Sequence, residues 1–253
     1  MLRHPTASKL HTLRLPGMAQ ALDEQATQPD IGQLTFEERL GLLVDREITH
    51  REDRVLQRRL ARAKLRQPAC LEDVDYHASR GLDRRLMAHL GTGQWLREHH
   101  NVLITGPAGV GKSYLACALA QQACRLGYCA RYLRLPRLLE ELAVARVDGR
   151  YSKVLASLAK VDALVIDDWA ITPLTADGRR DLLEVLDDRH QRRSTLVTSQ
   201  LAVEHWHDYL ADPTIADAIL DRLVHNSYRI TLQGESLRKR GTPDLTDLTA
   251  PNP

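Results

Sequence analysis

The sequence predicts an α/β fold built on a mostly parallel sheet, and two observations lead to this prediction. Five apolar, strand-like runs alternate with helical segments, a pattern typical of a parallel sheet that helices cover on both faces. A glycine-rich loop separates the first of these runs from the helical segment that follows it. The predicted strands are 102–105, 128–135, 161–167, 194–199 and 228–232.

The glycine-rich loop follows the pattern G-x-x-x-x-G-K-S from Gly106 to Ser113. Between a strand and a helix, this pattern is that of a phosphate-binding loop, whereas an ordinary glycine turn would not need every fixed position. Glycines let successive backbone N–H groups surround phosphate oxygens, and the helix start presents its positive end to the anion. Lys112 can reach the β- and γ-phosphates, and Ser113 can hold Mg²⁺. The predicted nucleotide contacts are Gly106, Pro107, Ala108, Gly109, Val110, Gly111, Lys112, Ser113 and Tyr114.

The third apolar run ends in two carboxylates, Asp167 and Asp168. We predict that Asp167 holds Mg²⁺, directly or through water, and that Asp168 is the general base for an attacking water. An Asp-Asp turn after a buried strand is the alternative, and the phosphate-binding loop in the same chain disfavours it. Because aspartate is one methylene shorter than the glutamate more often found there, hydrolysis is expected to be slow or partner-dependent.

The first 68 residues predict a small all-α domain. Apolar residues recur at helical spacing over 6–27, where a Pro-Gly pair divides the pattern into two short helices. Thr35 and Glu38 form a capping box that opens a long helix to about Lys64. The predicted apolar side of that helix consists of Leu40, Leu43, Val44, Ile48 and Leu56.

The domain prediction has three parts: a helical domain over 1–68, an ATPase domain over 69–240 and a disordered tail over 241–253, which is rich in Pro, Thr and Asp. Two short helices are predicted at 82–90 and 94–99, and two more at 136–160, where an Asp-Gly pair separates them.

Composition indicates a globular protein, with 43% hydrophobic and 27% charged residues. No apolar run approaches the roughly 20 residues of a membrane span. The N-terminus lacks the apolar segment of a secretory signal, and the four cysteines form no C-x-x-C pair. We therefore expect a reduced, cytoplasmic protein with no membrane partner.

A basic stripe is hidden by the net charge of only +2, because residues 46–66 contain eight basic and three acidic side chains. Its arginines are three or four residues apart, so they are predicted to share one helical face. Two interpretations of this face remain open: it is exposed to solvent only, or it contacts the phosphates of a nucleic acid. Aromatic residues make up only 4% of the chain, which favours duplex backbone contacts over base stacking. The stripe consists of Arg51, Arg54, Arg58, Arg62 and Arg66.

Further segments carry a resemblance to a known family. These are Asp167–Trp169, Thr198–Gln200, Ala216–Leu223 and Gly234–Lys239, together with the phosphate-binding loop. The chain resembles the IstB-like ATP-binding proteins over roughly residues 10–240. These are AAA+ helper ATPases of bacterial insertion sequences, and they are related to the DnaC helicase loaders.

The resemblance implies a five-stranded AAA+ core of strand order 5-1-4-3-2, with ATP and Mg²⁺ as cofactors. It implies Arg222 as an arginine finger for a neighbouring subunit, Arg238 as a second sensor, and Gln200 (or Ser199) as the first sensor. From the residues alone, surface salt bridges would be the simpler role of both arginines. One departure is Ala170, where the family usually has glycine, which alters a turn near Asp168.

The resemblance also implies that the extra helix of the initiator-type clade lies within 136–160, where three basic residues could face DNA. These residues are Arg146, Arg150 and Lys153. A metal site at His205 and His207 is disfavoured, because a spacing of two residues on a helix puts the rings on different faces.

The function implied is that of an ATP-dependent transposition helper. It would assemble as a homo-oligomer on duplex DNA through its ATP sites and deliver that DNA to a partner transposase. A DnaC-like helicase loader is the alternative, since the ATPase core would be the same. A small-molecule kinase is a third interpretation, which leaves the arginine segments unexplained.

Overall fold

The computed structural model describes residues 5–77 and 80–237. Arg238 and the predicted disordered tail lie outside the described residues. The chain divides into two compact units, one up to Arg59 and one from Leu60 onward. No helix within the described ranges is both long enough and apolar enough to cross a membrane.

The first unit is helical, as the sequence predicts. Its elements are α1 (Pro5–Thr12), α2 (Pro16–Gln25), a 3₁₀ turn (Pro29–Gln33) and α3 (Phe36–Ala63), which continues into the second unit. The capping box at the start of α3 is present: the Thr35 N–H donates to Glu38 Oε2 at 2.8 Å. In return, the Glu38 N–H donates to Thr35 Oγ1 at 3.3 Å. These two bonds satisfy backbone donors that a helix start leaves unpaired.

A buried glutamate fixes α2 against α3. Glu47 Oε2 accepts from the N–H groups of Gly17 at 2.7 Å and Met18 at 3.2 Å, while Arg51 donates to Oε1 at 2.7 Å. Burial opposes ionisation of Glu47, but these hydrogen bonds outweigh it and lower its pKa. A Cβ at Gly17 would lie 2.8 Å from the Arg46 carbonyl oxygen. The close approach of the two helices therefore requires glycine there.

The predicted apolar side of α3 is only partly buried, because Leu43 and Leu56 are half-buried and its other three residues are exposed. Leu40, Val44 and Ile48 are 40%, 41% and 50% exposed. The helix makes its contact with α2 through the Glu47 side instead, because that carboxylate supplies the acceptors for the first turn of α2. Periodicity alone did not identify which side of α3 is buried.

The second unit contains a five-stranded parallel sheet in the order β2-β3-β4-β1-β5, the predicted order viewed from the other edge. The strands are β1 (Asn101–Thr105), β2 (Ala130–Arg134), β3 (Ala163–Trp169), β4 (Ser194–Ser199) and β5 (Ser227–Thr231). All residues of β1 and β4 are buried, as expected of inner strands covered on both faces. The sequence prediction of all five strands is confirmed to within two residues at each end.

The helices of the second unit alternate with the strands. They are α4 (Arg84–Gly91), α5 (Gln94–Arg97), α6 (Lys112–Arg125), α7 (Leu135–Val147), α8 (Tyr151–Ala159), α9 (Ala176–Arg189), α10 (Trp206–Leu210) and α11 (Pro213–Val224). A 3₁₀ turn, Val203–His205, precedes α10. The predicted division of 136–160 is confirmed, because Gly149, with φ of 69°, separates α7 from α8.

The strand register positions the site. Parallel pairing places Thr105 of β1 beside Ser199 of β4, and Ser199 beside Trp169 of β3. On the other side of β3, Arg134 of β2 pairs with Asp167. The carboxyl ends of four strands therefore meet at one edge of the sheet, directly where the glycine-rich loop begins. Ligands of open α/β sheets bind at this edge.

Candidate nucleotide-binding site

The glycine-rich loop connects β1 to α6 in a conformation that requires its glycines. Gly106 has φ of 143° and Gly109 has φ of 82°, both in the region that favours glycine. A Cβ would lie 2.3 Å from the Leu232 carbonyl oxygen at Gly106 and 2.0 Å from Ser236 Oγ at Gly109. The segment after β5 therefore packs tightly on the loop.

The loop holds its lysine and serine at the first turn of α6. Lys112 Nζ donates to the carbonyl oxygens of Gly106 at 2.7 Å and Pro107 at 2.6 Å. The next residue, Ser113, donates from Oγ to Asp167 Oδ1 at 3.0 Å. The geometry therefore brings together the predicted phosphate-binding cation and the predicted pair of magnesium ligands.

Asp167 is 1% exposed and accepts hydrogen bonds on both carboxylate oxygens. Oδ1 accepts from Ser113 and from the Thr198 hydroxyl of β4, and Oδ2 accepts from the Tyr132 hydroxyl of β2. Burial, together with the Asp167 carboxylate, raises the pKa of Tyr132, which keeps its hydroxyl protonated and donating. The carboxylate is thus held in one orientation by neighbouring strands.

Asp168 is the penultimate residue of β3 and faces the same cleft. Its backbone has φ of 60°, and Ala170, directly after the strand, has φ of 61°. The β3–β4 register shifts between Ile166 and Trp169, which accommodates the positive φ of Asp168. Arg134 Nε donates to Asp168 Oδ2, so the carboxylate is oriented by a cation from β2.

The left-handed conformation of Ala170 leads to a stability prediction. A left-handed conformation costs an L-residue roughly 1–2 kcal/mol and costs glycine little. Ala170→Gly is therefore expected to raise the free energy of unfolding by about 0.5–1 kcal/mol after the greater chain entropy of glycine is deducted. Urea unfolding measures the change. The control is Ala143→Gly on the exposed side of α7, which should lower stability by about 1 kcal/mol. A loss at both positions would contradict the prediction.

The predicted first sensor was Gln200 or Ser199, within the segment Thr198–Gln200 at the end of β4. In the structure, Thr198 is the residue of this segment that contacts Asp167. Ser199 Oγ donates to the Trp169 carbonyl oxygen at 3.1 Å and accepts from the Leu201 N–H at 3.0 Å, so its hydroxyl is used within the turn. Gln200 is exposed and lines the cleft. Its sensor role remains a prediction.

Two further residues of the site were missed by sequence reasoning, Tyr132 and Arg134. Both lie on β2 and contact one of the two carboxylates. Polar side chains near the end of a strand next to β3 could have indicated these two residues, because neighbouring parallel strands have their carboxyl ends on the same side of the sheet. That signal becomes visible only once the strand order is known.

A cleft of about 900 Å³ opens in front of the loop and the two carboxylates. Six of the nine predicted nucleotide contacts line it, namely Ala108, Gly109, Gly111, Lys112, Ser113 and Tyr114. The other three contribute backbone carbonyls: Gly106 and Pro107 hold Lys112, and Val110 accepts from Arg80 at 3.1 Å. The volume is within the range of small-molecule sites.

The donor set of the cleft fits a magnesium nucleotide. Ser113 Oγ and Asp167 Oδ1 are adjacent, and Mg²⁺ usually takes one or two protein oxygens and completes its shell with phosphate and water. Across the described residues, no three His, Cys, Asp or Glu side chains are grouped as a metal site. An ion held at Ser113 and Asp167 would therefore depend on phosphate oxygens as well.

The predicted arginine finger lies away from this cleft. Arg222 is at the end of α11, where Asn101 Nδ2, at the amino end of β1, donates to its carbonyl oxygen at 2.9 Å. Its guanidinium donates to Asp187 Oδ1 at 2.6 Å and to the Ala218 carbonyl oxygen at 2.9 Å. Arg222 therefore lies near the amino ends of the strands, whereas the phosphate-binding loop of the same chain follows the carboxyl end of β1. The second predicted sensor, Arg238, lies outside the described residues.

The predicted basic face of α3 contains four arginines instead of five. Arg51, Arg54, Arg58 and Arg62 are exposed on the helix. The helix ends at Ala63, and Lys64 has φ of 51°, so Arg66 does not continue the face. Its guanidinium lies 3.4 Å from Asp167 Oδ2 and lines the cleft.

The basic residues predicted to face DNA around α7 and α8 differ in their surroundings. Arg146 pairs with Asp181 and lies 4.1 Å from the Tyr151 ring centroid. Arg150 donates to Asp148 at 2.6 Å, and Lys153 is exposed. Arg146 is therefore part of the packing between α7, α8 and α9, whereas Arg150 and Lys153 lie at the surface.

Comparison with known proteins identifies relatives along almost the whole chain. A family model described as IstB-like ATP binding protein matches residues 8–243. The chain is 53% identical over 239 residues to the putative insertion sequence ATP-binding protein y4pL of Sinorhizobium fredii, covering 94% of this chain and 98% of the relative. It is 55% identical over 202 residues to the putative ATP-binding protein of insertion sequence IS1162 from Pseudomonas fluorescens, covering 79% and 87%.

Solved structures share the fold at lower identity. The crystal structure of DnaI matches with a TM-score of 0.55 at 20% identity and covers 66% of this chain and 95% of that chain. The crystal structure of the DnaC helicase loader matches with a TM-score of 0.51 at 16% identity and covers 65% and 96%. Identities this low show a common fold, the AAA+ core, and nothing further.

Proposed function

Because the chain belongs to the IstB-like ATP-binding protein family of insertion sequences, we propose that it is an ATP-dependent transposition helper. It assembles on duplex target DNA and delivers that DNA to a partner transposase in the bacterial cytoplasm. ATP hydrolysis resets the assembly. The observation that carries this proposal is the meeting of Lys112, Ser113, Asp167 and Asp168 in one cleft at the carboxyl edge of the sheet.

Each residue of the cleft has a separate task in this proposal. Lys112 and the backbone N–H groups of the loop bind the phosphates. Ser113 and Asp167 hold Mg²⁺, which when bound neutralises phosphate charge and orients the terminal phosphate. Asp168 accepts the proton of the attacking water, and Arg134 orients its carboxylate. Tyr132 and Thr198 keep Asp167 in position through hydrogen bonds to its two oxygens.

The site is proposed to be completed by a second copy of the chain. Arg222 lies at the sheet edge opposite to its own loop, so it cannot reach its own cleft. As an arginine finger it would stabilise the transferring phosphate in the cleft of a neighbouring subunit. Asp187, which accepts from Arg222 at 2.6 Å, holds the guanidinium ready in the single chain. ATP binding and oligomer formation are therefore coupled in this proposal.

Duplex DNA is the proposed polyanionic partner. The four exposed arginines of α3, with Arg150 and Lys153, supply cations for phosphate contacts. Such contacts position a protein on DNA without selecting sequence. This fits a helper that captures targets broadly and leaves the chemistry of strand transfer to the transposase.

Assembly size measured by light scattering tests the proposal. Wild-type protein is expected to grow from monomers to larger assemblies with Mg-ATP and a duplex of a few tens of base pairs, and Arg222→Ala should stay monomeric. Arg180→Ala, an exposed arginine of α9, is the matched control and should assemble like the wild type. A wild-type protein that remains monomeric under every condition would overturn the proposal.

A helicase loader is the competing function, since the core is shared with the DnaI and DnaC structures. At 20% identity or less, that likeness does not extend to their activity. Pull-down from cells that carry the insertion sequence discriminates between the two functions. Recovery of the transposase supports the helper, whereas recovery of a replicative helicase without transposase supports the loader.

A further inference from the structure

Arg66 is the one residue of the predicted basic stripe that lies at the nucleotide cleft. Its Nη1 is 3.4 Å from Asp167 Oδ2 and 4.0 Å from Asp168 Oδ2. The side chain is 44% exposed, whereas that of Asp167 is 1% exposed. A partly exposed cation from outside the glycine-rich loop therefore reaches the buried carboxylate that is assigned to Mg²⁺.

The backbone beneath Arg66 is fixed, although its side chain is half exposed. Four residues after Arg66, the Cys70 carbonyl oxygen accepts from the Tyr114 hydroxyl of α6 at 3.4 Å, and Cys70 Sγ accepts from Gln121 of the same helix at 3.5 Å. Ala63 and Ala69, on either side of Arg66, are 0% and 4% exposed. The segment that contains Arg66 is therefore attached to the helix that carries Lys112 and Ser113. Its position at the cleft is thus set by packing and does not depend on the ion pair alone.

The acceptor capacity of Asp167 is fully used. A carboxylate offers about four lone-pair sites, and four groups contact it: Ser113 and Thr198 at Oδ1, and Tyr132 and Arg66 at Oδ2. A magnesium ion held by Ser113 Oγ and Asp167 Oδ1 would take the place of the hydrogen bond between these two atoms. Arg66 is the single cation among the four contacts, so like-charge repulsion from such an ion would weaken its contact with Oδ2, whereas the Tyr132 and Thr198 hydroxyls are neutral.

The γ-phosphate supplies a new partner for the displaced guanidinium. Arg66 lines the same cleft as Lys112 and Ser113, and a guanidinium forms strong bidentate bonds with phosphate oxygens. ADP has no phosphate at that position. An arginine at this site therefore distinguishes the two nucleotides by a contact that only ATP provides.

We propose that Arg66 is a positioning residue that exchanges Asp167 for the γ-phosphate when Mg-ATP binds. The segment directly after α3 then senses the third phosphate. This rests on the proposed ATP-dependent function and adds a sensing route to it. Because Arg66 follows the end of α3 by three residues, the exchange acts on the chain segment that leads into the helix with the four exposed arginines.

Calorimetric titration with ATP and with ADP, both in Mg²⁺ and without DNA, tests the exchange. Arg66→Ala is expected to weaken ATP binding by about tenfold, the effect of one charge-assisted bond, and to leave ADP binding within about twofold. Arg66→Lys should recover part of the loss, because lysine keeps the charge without the planar fork. Arg85→Ala, an exposed arginine of α4 outside the cleft, is the control and should match the wild type.

Hydrogen exchange over residues 60–67 is the second measurement. Wild-type protein should be more protected with ATP than with ADP, and Arg66→Ala should lose this difference. ADP binding by the variant shows that it is folded. Equal weakening of ATP and ADP, or no weakening, overturns the role of Arg66 while leaving the transposition proposal intact. Failure of the wild type to bind ATP would overturn both.

Discussion

Asp168→Asn is expected to lower the rate of ATP turnover by about 10²–10⁴-fold, the usual contribution of a general base, while ATP affinity changes little. Asparagine keeps the size of aspartate but cannot accept the proton of the attacking water. Its amide oxygen can still accept from Arg134, which pairs with Asp168 in the wild-type protein, so the local structure of β3 should persist. Phosphate release in a single turnover measures the rate, and calorimetry measures affinity.

The division of labour between the two carboxylates is what this substitution tests. Asp167 is bound to Ser113 and is almost fully buried, whereas the Asp168 side chain is 18% exposed and faces the cleft. The metal-binding oxygen and the proton acceptor are therefore on different residues. Asp177→Asn, an exposed carboxylate of α9, serves as the control. A turnover rate within about tenfold of the wild type would remove the general base from Asp168.

The same substitution also separates binding from hydrolysis in the assembly. If hydrolysis resets the oligomer, Asp168→Asn should form ATP-dependent assemblies on duplex DNA that dissociate more slowly than those of the wild type. Light scattering after dilution into ADP follows their decay. Wild-type decay rates in the variant would mean that the reset does not need hydrolysis.

Most helices and strands of this protein could be predicted from the sequence because each depends on residues that are close together in the chain. The strand 194–199 is an example: all six of its residues are buried, and it pairs with β1 on one side and with β3 on the other. The capping box of α3 needs only two residues three apart. The loop from Gly106 to Ser113 needs glycines at fixed positions, because Gly106, Gly109 and Gly111 have positive φ angles.

Contacts between distant segments were not predictable in this way. Arg66 and Asp167 are 101 positions apart, and nothing in the local pattern of either residue indicates the pair. Helical spacing placed Arg66 on the basic face, since the pattern continues past the point where Lys64 turns the chain. Tyr132 was likewise not identified, and Thr198 was identified only as part of the segment Thr198–Gln200, although the two side chains orient Asp167 from both neighbouring strands. The strand order, which the resemblance implied, would have been needed to place them.

Arg189→Met is expected to lower the free energy of unfolding of the second unit by about 3–5 kcal/mol, because several buried acceptors lose their donor at about 1–3 kcal/mol each. The guanidinium is 1% exposed at the end of α9. It donates to the carbonyl oxygens of Leu158 at 2.6 Å and Val161 at 2.7 Å, and to Thr195 Oγ1 at 3.1 Å. A fourth bond goes to the Ser194 carbonyl oxygen.

These bonds connect the end of α8 to the starts of two neighbouring strands. Leu158 is in the last turn of α8, and its carbonyl oxygen accepts from the Val161 N–H at 3.4 Å as well as from Arg189. Ser194 begins β4, and Val161 precedes β3. Burial lowers the pKa of Arg189 to about 9, and the neighbouring Arg193 adds to this effect. The residue still carries its charge near neutral pH, so its four acceptors are bound by charge-assisted bonds.

Methionine has a similar length and no donor, so Arg189→Met removes a charge-assisted donor from each of these buried acceptors, and Leu158 keeps only its backbone donors. Urea unfolding followed by the tryptophan signal measures the loss, which corresponds to a melting temperature lower by roughly 10 °C for a unit of this size. Arg189→Lys should give an intermediate value, because one ammonium cannot reach acceptors spread around a planar fork. Arg192→Met, an exposed neighbour, is the control and should change stability by less than about 0.5 kcal/mol. A loss below about 1 kcal/mol in Arg189→Met would show that the cost of burying the charge cancels the bonds that it makes.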